Sequence, residues 1–465
     1  MRIGKKEIGL STIQYLITTA ASLLIMFIVL PNVATEEYAV WNIFLSIQSF
    51  VVLMDSGFGS VVLRYVSYAV SGAVSIPKSG VPEIQEGGGI NGNLFLAVVD
   101  SARKIYKKFA VIGFMILVVF SVYIYYIAKD DTSIPKVLVS WILFSIAVAV
   151  DIYYTYLSNV MKGMGKVKEN AVISIVITII ASAVKVFLVL IGMGLLGLTI
   201  SYFFQIVINR FLVYFYLRND FQIIRSKATK EKIRALLKES YNSILVNSKQ
   251  MTWITVSDFI TGKGKTLIVS AFLPLTVTAM FSLTNQIVSM IYSLAIIPYS
   301  VFRFKWGETI PQKNEEETKD IYSISIVSLL LVMTVGVVFT MFLGDKLLSF
   351  IGSRTSLLPW FSIFLLGIYQ LMIGIYKIAT SYIQYHNIQP YIISNVISSS
   401  VTLVATAVLL KIKGKIDVYL LALLLVHMAY NGWKWPLESI KMAQMNCSEL
   451  VMRSIRRGKK LIKRG

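Results

Sequence analysis

Twelve stretches of the chain are apolar over more than 18 positions each: 8–33, 38–67, 109–128, 137–160, 170–191, 194–216, 240–262, 268–302, 321–344, 357–385, 389–410 and 416–436. About 20 apolar residues at a rise of ~1.5 Å cross a bilayer. Lipid satisfies no backbone polar group, so each crossing must be a helix or part of a closed barrel. The segments are too long and too evenly apolar for barrel strands. The pattern predicts an all-α integral membrane protein of about 12 transmembrane helices. The first stretch follows Arg2, Lys5 and Lys6, as in a signal peptide. It is too long for one and lacks a small-residue cleavage site, so it is expected to remain as the first span.

The polar interruptions divide the chain. Arg218–Glu239 is basic and leaves six spans on either side. Equal halves predict two six-helix lobes around a central cavity, a plan frequent in transporters. The expected parts are an N-terminal lobe at 1–216, a cytoplasmic basic linker at 217–239, a C-terminal lobe at 240–436 and a basic cytoplasmic tail at 437–465. Ser71–Leu94 contains Gly87-Gly88-Gly89 and two prolines and reads as a flexible loop. Phe95–Lys108 has helical spacing and is expected to lie on the membrane surface.

Charge sets the orientation. Of the 465 residues, 56% are hydrophobic and only 15% charged, with mean hydropathy +0.70. The net charge of +21 would suggest nucleic acid in a soluble protein. Here Lys and Arg gather on one side: 31 on the side of the N-terminus against 9 on the other. This predicts both termini in the cytoplasm and removes nucleic acid as a partner. Lys411, Lys413 and Lys415 run against the trend. The single Cys447 excludes an intrachain disulfide and any CxxC site. The outside loops are short, and no Asp-x-Asp pair or His/Cys cluster occurs. A membrane enzyme, such as a polymerase or glycosyltransferase, is therefore disfavoured, and no metal site or cofactor is expected.

Polar groups within lipid usually face a bundle interior or a water-filled path. At about 100° per residue, several spans gather theirs on one face. Span 7 carries Ser240, Ser243, Asn247, Gln250, Asp258 and Thr261; span 8 carries Thr278, Ser282, Asn285, Ser289 and Tyr292. Span 5 aligns Ser174, Thr178, Ser182 and Lys185, span 10 aligns Gln370, Lys377, Ser381 and Gln384, and span 11 aligns Asn395, Ser398, Thr402 and Thr406. Helix–helix packing is the alternative use of such stripes. A charge in the stripes of spans 5, 7 and 10 favours a cavity there.

The candidate cavity cations are Arg64, Lys185, Lys377 and Arg210. Lys185 and Lys377 could hold an anionic group such as a phosphate, or pair with Asp151 or Asp258. Arg210 lies toward the cytoplasmic end of its span, where it could also snorkel to the headgroups. Arg64 follows Gly57 and Gly59 and suits an inward vestibule. Asp55, Asp151 and Asp258 are the candidates for a coupling proton or sodium ion. His427 is a candidate proton acceptor, with a packing role as its alternative.

The segment Glu36–Ala69 resembles bacterial polysaccharide flippases of the Wzx type, within the multidrug/oligosaccharidyl-lipid/polysaccharide (MOP) exporter superfamily. The residues are Glu37-Tyr38-Ala39, then Met54-Asp55-Ser56-Gly57-Phe58-Gly59, then Arg64-Tyr65. LSNVMKGMGKV at Leu157–Val167, and Ser257-Asp258 followed by Met280-Phe281-Ser282-Leu283, are further likenesses. The resemblance implies translocation of undecaprenyl-diphosphate-linked oligosaccharides across the inner membrane, for O-antigen or capsular/exopolysaccharide synthesis. It implies alternating access, coupling to a cation gradient or membrane potential, and a polymerase and other assembly proteins as partners. A cation-coupled small-molecule or drug exporter is the second expectation. Its cavity would be richer in carboxylates than in lysines.

Overall fold

The structure, a computed structural model, describes residues 25–76, 83, 89–129, 133–386 and 388–462, without the side chains of 249–254, 304, 447 and 457–462. Most of the first span and of the glycine-rich loop lie outside these residues. In chain order the helices are α1 (described over 25–32), α2 (Thr35–Val52), α3 (Phe58–Val70), α4 (Gly92–Ala128), α5 (Ile134–Gly163) and α6 (Val167–Leu190). There follow α7 (Leu195–Ser226), α8 (Lys230–Thr261), α9 (Gly264–Phe272), α10 (Leu275–Ala295), α11 (Ile297–Phe302) and α12 (Trp306–Thr309). The last six are α13 (Glu315–Phe350), α14 (Trp360–Tyr385), α15 (Tyr391–Lys413), α16 (Ile416–Ala429), α17 (Asn431–Met442) and α18 (Cys447–Ile462).

Nine segments among the described residues are long and apolar enough to cross a bilayer. With α1, α8 and α10 the count is about twelve. The chain is an all-α, multi-pass membrane protein. Two compact units are present, Met1–Phe259 and Ile260–Gly465. The segment 217–239 is helical except at 227–229, so α7 and α8 run through it.

Local chemistry explains where the helices break. The second span is divided at Leu53–Asp55, a short 3-10 turn, and Gly57 then takes φ +79°. That left-handed backbone suits glycine, which has no Cβ to clash. The stretch 268–302 is not one helix: α9 ends at Phe272, and Leu273 is extended (φ −123°, ψ 154°) before Pro274. Proline lacks the N–H that would continue the ladder and pushes its predecessor out of the helical region.

The expected surface helix at Phe95–Lys108 is corrected. It is the first part of α4, one helix of 37 residues. Its apolar positions Phe95, Val98, Ala102, Ile105 and Tyr106 are buried against α3, α5, α7 and α8. The spacing that suggested a lipid-facing stripe is a protein-facing one. At ~1.5 Å per residue α4 is far longer than the bilayer core is thick, so part of it stands in water beside its neighbours.

In the N-terminal unit α5 packs against α3, α4 and α7. Gly163 permits the α3 contact: a Cβ there would meet the Leu63 carbonyl oxygen at 2.7 Å and the Val66 Cβ at 2.8 Å. Trp41, Phe44, Trp141, Phe144 and Tyr202 form an aromatic cluster between α2, α5 and α7. Glu37 closes that end: it binds Lys136 Nζ at 2.6 Å and accepts the Leu195 N–H at 2.8 Å at the start of α7. In the C-terminal unit α14 is the hub, packed on α10, α13, α16 and α17. Trp306 anchors a second aromatic cluster with Tyr299, Tyr322, Tyr382 and Tyr385.

Candidate functional site

The break after α2 places Asp55 inside the N-terminal unit. Its carboxylate accepts the Tyr106 hydroxyl from α4 and the Gly59 N–H at the start of α3. Tyr106 is also bonded to Asn159 on α5. A Cβ at Gly59 would come within 2.7 Å of Asn159 Nδ2, so a larger residue there would displace the Asn159 amide. Tyr106 and Asn159 were not foreseen. Tyr106 lies in the stretch read as a surface helix, and Asn159 carries no sign of its partner.

A second, half-buried group lies on α5 and α7. Arg210 Nη2 binds Asp151 Oδ1 at 2.7 Å and Thr155 Oγ1 at 2.9 Å; its Nε reaches Asp151 Oδ1 at 3.0 Å and its Nη1 the Ser158 hydroxyl at 2.9 Å. Three acceptors at i, i+4 and i+7 on α5 are one face of that helix, which matches the fork of a guanidinium. Arg210 therefore does not extend to the headgroups. Asp151 is the partner of Arg210, not of Lys185 or Lys377.

The remaining cations differ. Arg64 is exposed on α3 with its guanidinium 5.5 Å from the Tyr65 ring centre. Lys185 is half-buried and has no carboxylate partner among the described residues. At about 100° per residue its stripe with Ser174, Thr178 and Ser182 is nearly opposite the exposed apolar face of Val172, Val176, Ile179, Phe187 and Leu190. The stripe thus points away from lipid. Asn247 on α8 donates to the Tyr65 hydroxyl at 2.9 Å and to the Ser243 carbonyl at 2.9 Å. The side chain of Gln250 lies outside the described residues. Asp258 is exposed near the end of α8.

The C-terminal unit carries a more open stripe. From Leu365 to Tyr385 the exposed residues of α14 are Lys377 and Gln384, and both lie on the face of Gln370 and Ser381. Every other side of that half of α14 is covered or half-covered by protein. Lipid would solvate Lys377 and Gln384 poorly, so the open face of α14 suits a water-filled path better than lipid. Lys377 has no carboxylate partner among the described residues. On α10, Ser282 Oγ and Asn285 Oδ1 are buried without a hydrogen-bond partner among the described residues. Ser289, Gln370 and Asn395 are half-buried. The α15 stripe of Asn395, Ser398, Thr402 and Thr406 is opposite the exposed Ile393, Ile397, Val404 and Val408.

Two further groups complete the unit. His427 is buried between the rings of Tyr369 and Tyr376, centroids 6.1 and 5.6 Å away, with Nε2 unpartnered among the described residues. Lys265, which falls between the predicted spans 240–262 and 268–302, is only 2% exposed, with its Nζ 5.2 Å from the Tyr369 ring centre. The signal available for it was its place directly before the apolar run TLIVSAF.

The sequence matches no family model and no curated protein. Solved structures share its fold. An inward-facing multidrug resistance MATE family transporter of the MOP superfamily aligns with 12% identity over 93% of this chain and 95% of its own, at TM-score 0.63. The lipid II flippase MurJ in an inward closed conformation aligns with 14% identity over 96% of this chain and 89% of its own, at TM-score 0.62. An outward-facing MATE transporter aligns with 11% identity over 94% and 96%, at TM-score 0.52. The chain has the fold of MOP-superfamily transporters.

Proposed function

We propose that this protein translocates undecaprenyl-diphosphate-linked oligosaccharide units across a bacterial inner membrane by alternating access, as a step in O-antigen or capsular/exopolysaccharide synthesis. The observation that carries the proposal is the open face of α14. Lys377 and Gln384 are exposed there with half-buried Gln370 on the same arc, and Lys377 has no carboxylate partner among the described residues. Such a face suits an anionic, sugar-bearing headgroup: ammonium for diphosphate, amides for hydroxyls. The motif from Asp55 to Arg64 and the fold shared with a lipid II flippase support the same class of cargo.

Lys377 is the group assigned to the diphosphate, with Lys185 and Arg64 as the further cations. Asp55 is the acid assigned to coupling by a proton or sodium ion. It sits at the break between α2 and α3, so a change in its bond to Tyr106 would act on that break. The prenyl chain would stay in lipid. Polymerase and other assembly proteins are the expected partners.

The test is transport in proteoliposomes. The wild-type protein is expected to move a fluorescent lipid-linked saccharide, and Lys377→Gln with Lys185→Gln to abolish this while the melting temperature in detergent is unchanged. Undiminished transport by the double variant would overturn the assignment of the cations. The alternative, a cation-coupled exporter of small molecules, would instead show uptake of a cationic dye and no movement of the lipid-linked saccharide.

A further inference from the structure

Among its described side chains, the tail helix α18 is covered on one side only. Leu450 and Ser454 are buried, and α18 packs along the start of α13. Arg453 fastens it: both Nη atoms reach the Glu316 carboxylate at 2.9 Å, Nη1 reaches Asp320 at 3.2 Å, and Nε reaches Glu449 of its own helix at 2.7 Å. Asn446 caps the first turn, accepting the Glu449 N–H at 2.8 Å. The attachment is at the point where the acidic turn Glu315–Glu317 of α13 gives way to the apolar run from Ile321. That is the level at which a spanning helix leaves the hydrocarbon for the headgroups.

The opposite side of α18 is apolar and open. Val451, Met452 and Ile455 are 49, 62 and 54% exposed, and they share one arc of the helix. Arg456 is exposed beside them. The sequence continues with Arg457, Lys459, Lys460, Lys463 and Arg464, and no carboxylate follows Glu449. A second copy of so basic a helix would repel the first, and three side chains are a small patch for a protein partner. A surface that is apolar along one arc, cationic along the next and held at headgroup level is complementary to an anionic bilayer.

We propose that α18 is an anchor for anionic phospholipid: Val451, Met452 and Ile455 insert among the upper acyl carbons, and Arg456 with the basic residues after it binds phosphodiester headgroups. Arg453 is not part of that surface. Its ion pairs hold the helix to α13 so that insertion fixes the position of the spanning helix.

The full-length chain carrying Cys447→Ser and Met452→Cys would be spin-labelled at position 452. It would be reconstituted in vesicles of pure phosphatidylcholine or of a phosphatidylglycerol-rich mixture. The label is expected to collide with oxygen several-fold more often than with a nickel chelate in the phosphatidylglycerol vesicles. The ratio should fall toward parity in phosphatidylcholine, and in phosphatidylglycerol when Arg456→Glu and Lys459→Glu are added. Three results would overturn the proposal: nickel-dominated collisions in both lipids, oxygen-dominated collisions equal in both, or shielding from both reagents, which would mean that protein covers the face. Arg456 is exposed, and an unchanged melting temperature in detergent confirms that the effect of the two charge reversals is on lipid binding.

Discussion

In the N-terminal unit Arg210 directs its donors to Asp151, Thr155 and Ser158, and Asp55 is held by Tyr106 and the Gly59 N–H. In the C-terminal unit Lys377 stands on an open helix face without a carboxylate partner among the described residues. Buried oxygens unpartnered among the described residues occur in both units, on Ser140, Ser145, Asn170 and Tyr202 in the first and on Ser282 and Asn285 in the second. The same residue types therefore have two uses. A buried ion in low dielectric must be matched within the protein, and once matched it locks helices together. A cation with access to water needs no internal match and keeps its donors for a ligand. Orphaned buried oxygens mark places where water or a solute completes the hydrogen bonding.

Substitutions can break or sharpen this contrast. The largest effect is expected for Asp151→Ala, which leaves the half-buried Arg210 guanidinium with only hydroxyl partners. Removing one member of such a pair costs about 3–5 kcal/mol, read as a large drop in melting temperature in detergent. Removing both charges, with Arg210→Met and Asp151→Leu, should restore most of that loss. A silent single variant would show that the pair is not structural. Next comes Gly163→Ala, which forces α3 and α5 apart at the Leu63 carbonyl and should cost about 1–3 kcal/mol by the same measurement. Tyr65→Phe takes the acceptor from Asn247 but leaves its bond to Ser243, so about 1 kcal/mol is expected. Smallest of all is Lys377→Gln, predicted within about 0.5 kcal/mol of the parent because the side chain is exposed. A melting shift as large as that of Asp151→Ala would place Lys377 in a structural ion pair and remove the difference between the units.

The apolar runs made the spans legible, since a bilayer imposes the same length on every crossing. Polar stripes on spans 5, 10 and 11 were legible for a related reason: lipid penalises polar atoms, so they gather on the face away from it. The sequence is silent on which stripe stays open. Ser282 and Lys377 both sit on aligned polar faces, yet one is buried and the other exposed. Phe95–Lys108 misled because an apolar arc looks alike whether it meets lipid or protein.

What the chain alone determined, then, is that it must be a bundle of about twelve helices with its polar positions turned inward. Those properties follow from local composition measured against a fixed solvent, the bilayer. The pairing of Arg210 with Asp151, the hold of Tyr106 on Asp55, the burial of Lys265 and the open face of α14 belong to the tertiary structure. Each depends on which helix packs beside which. The side-chain partners of Arg210 and Asp55 lie more than 50 residues away in sequence, and no period along one helix encodes a neighbour on another.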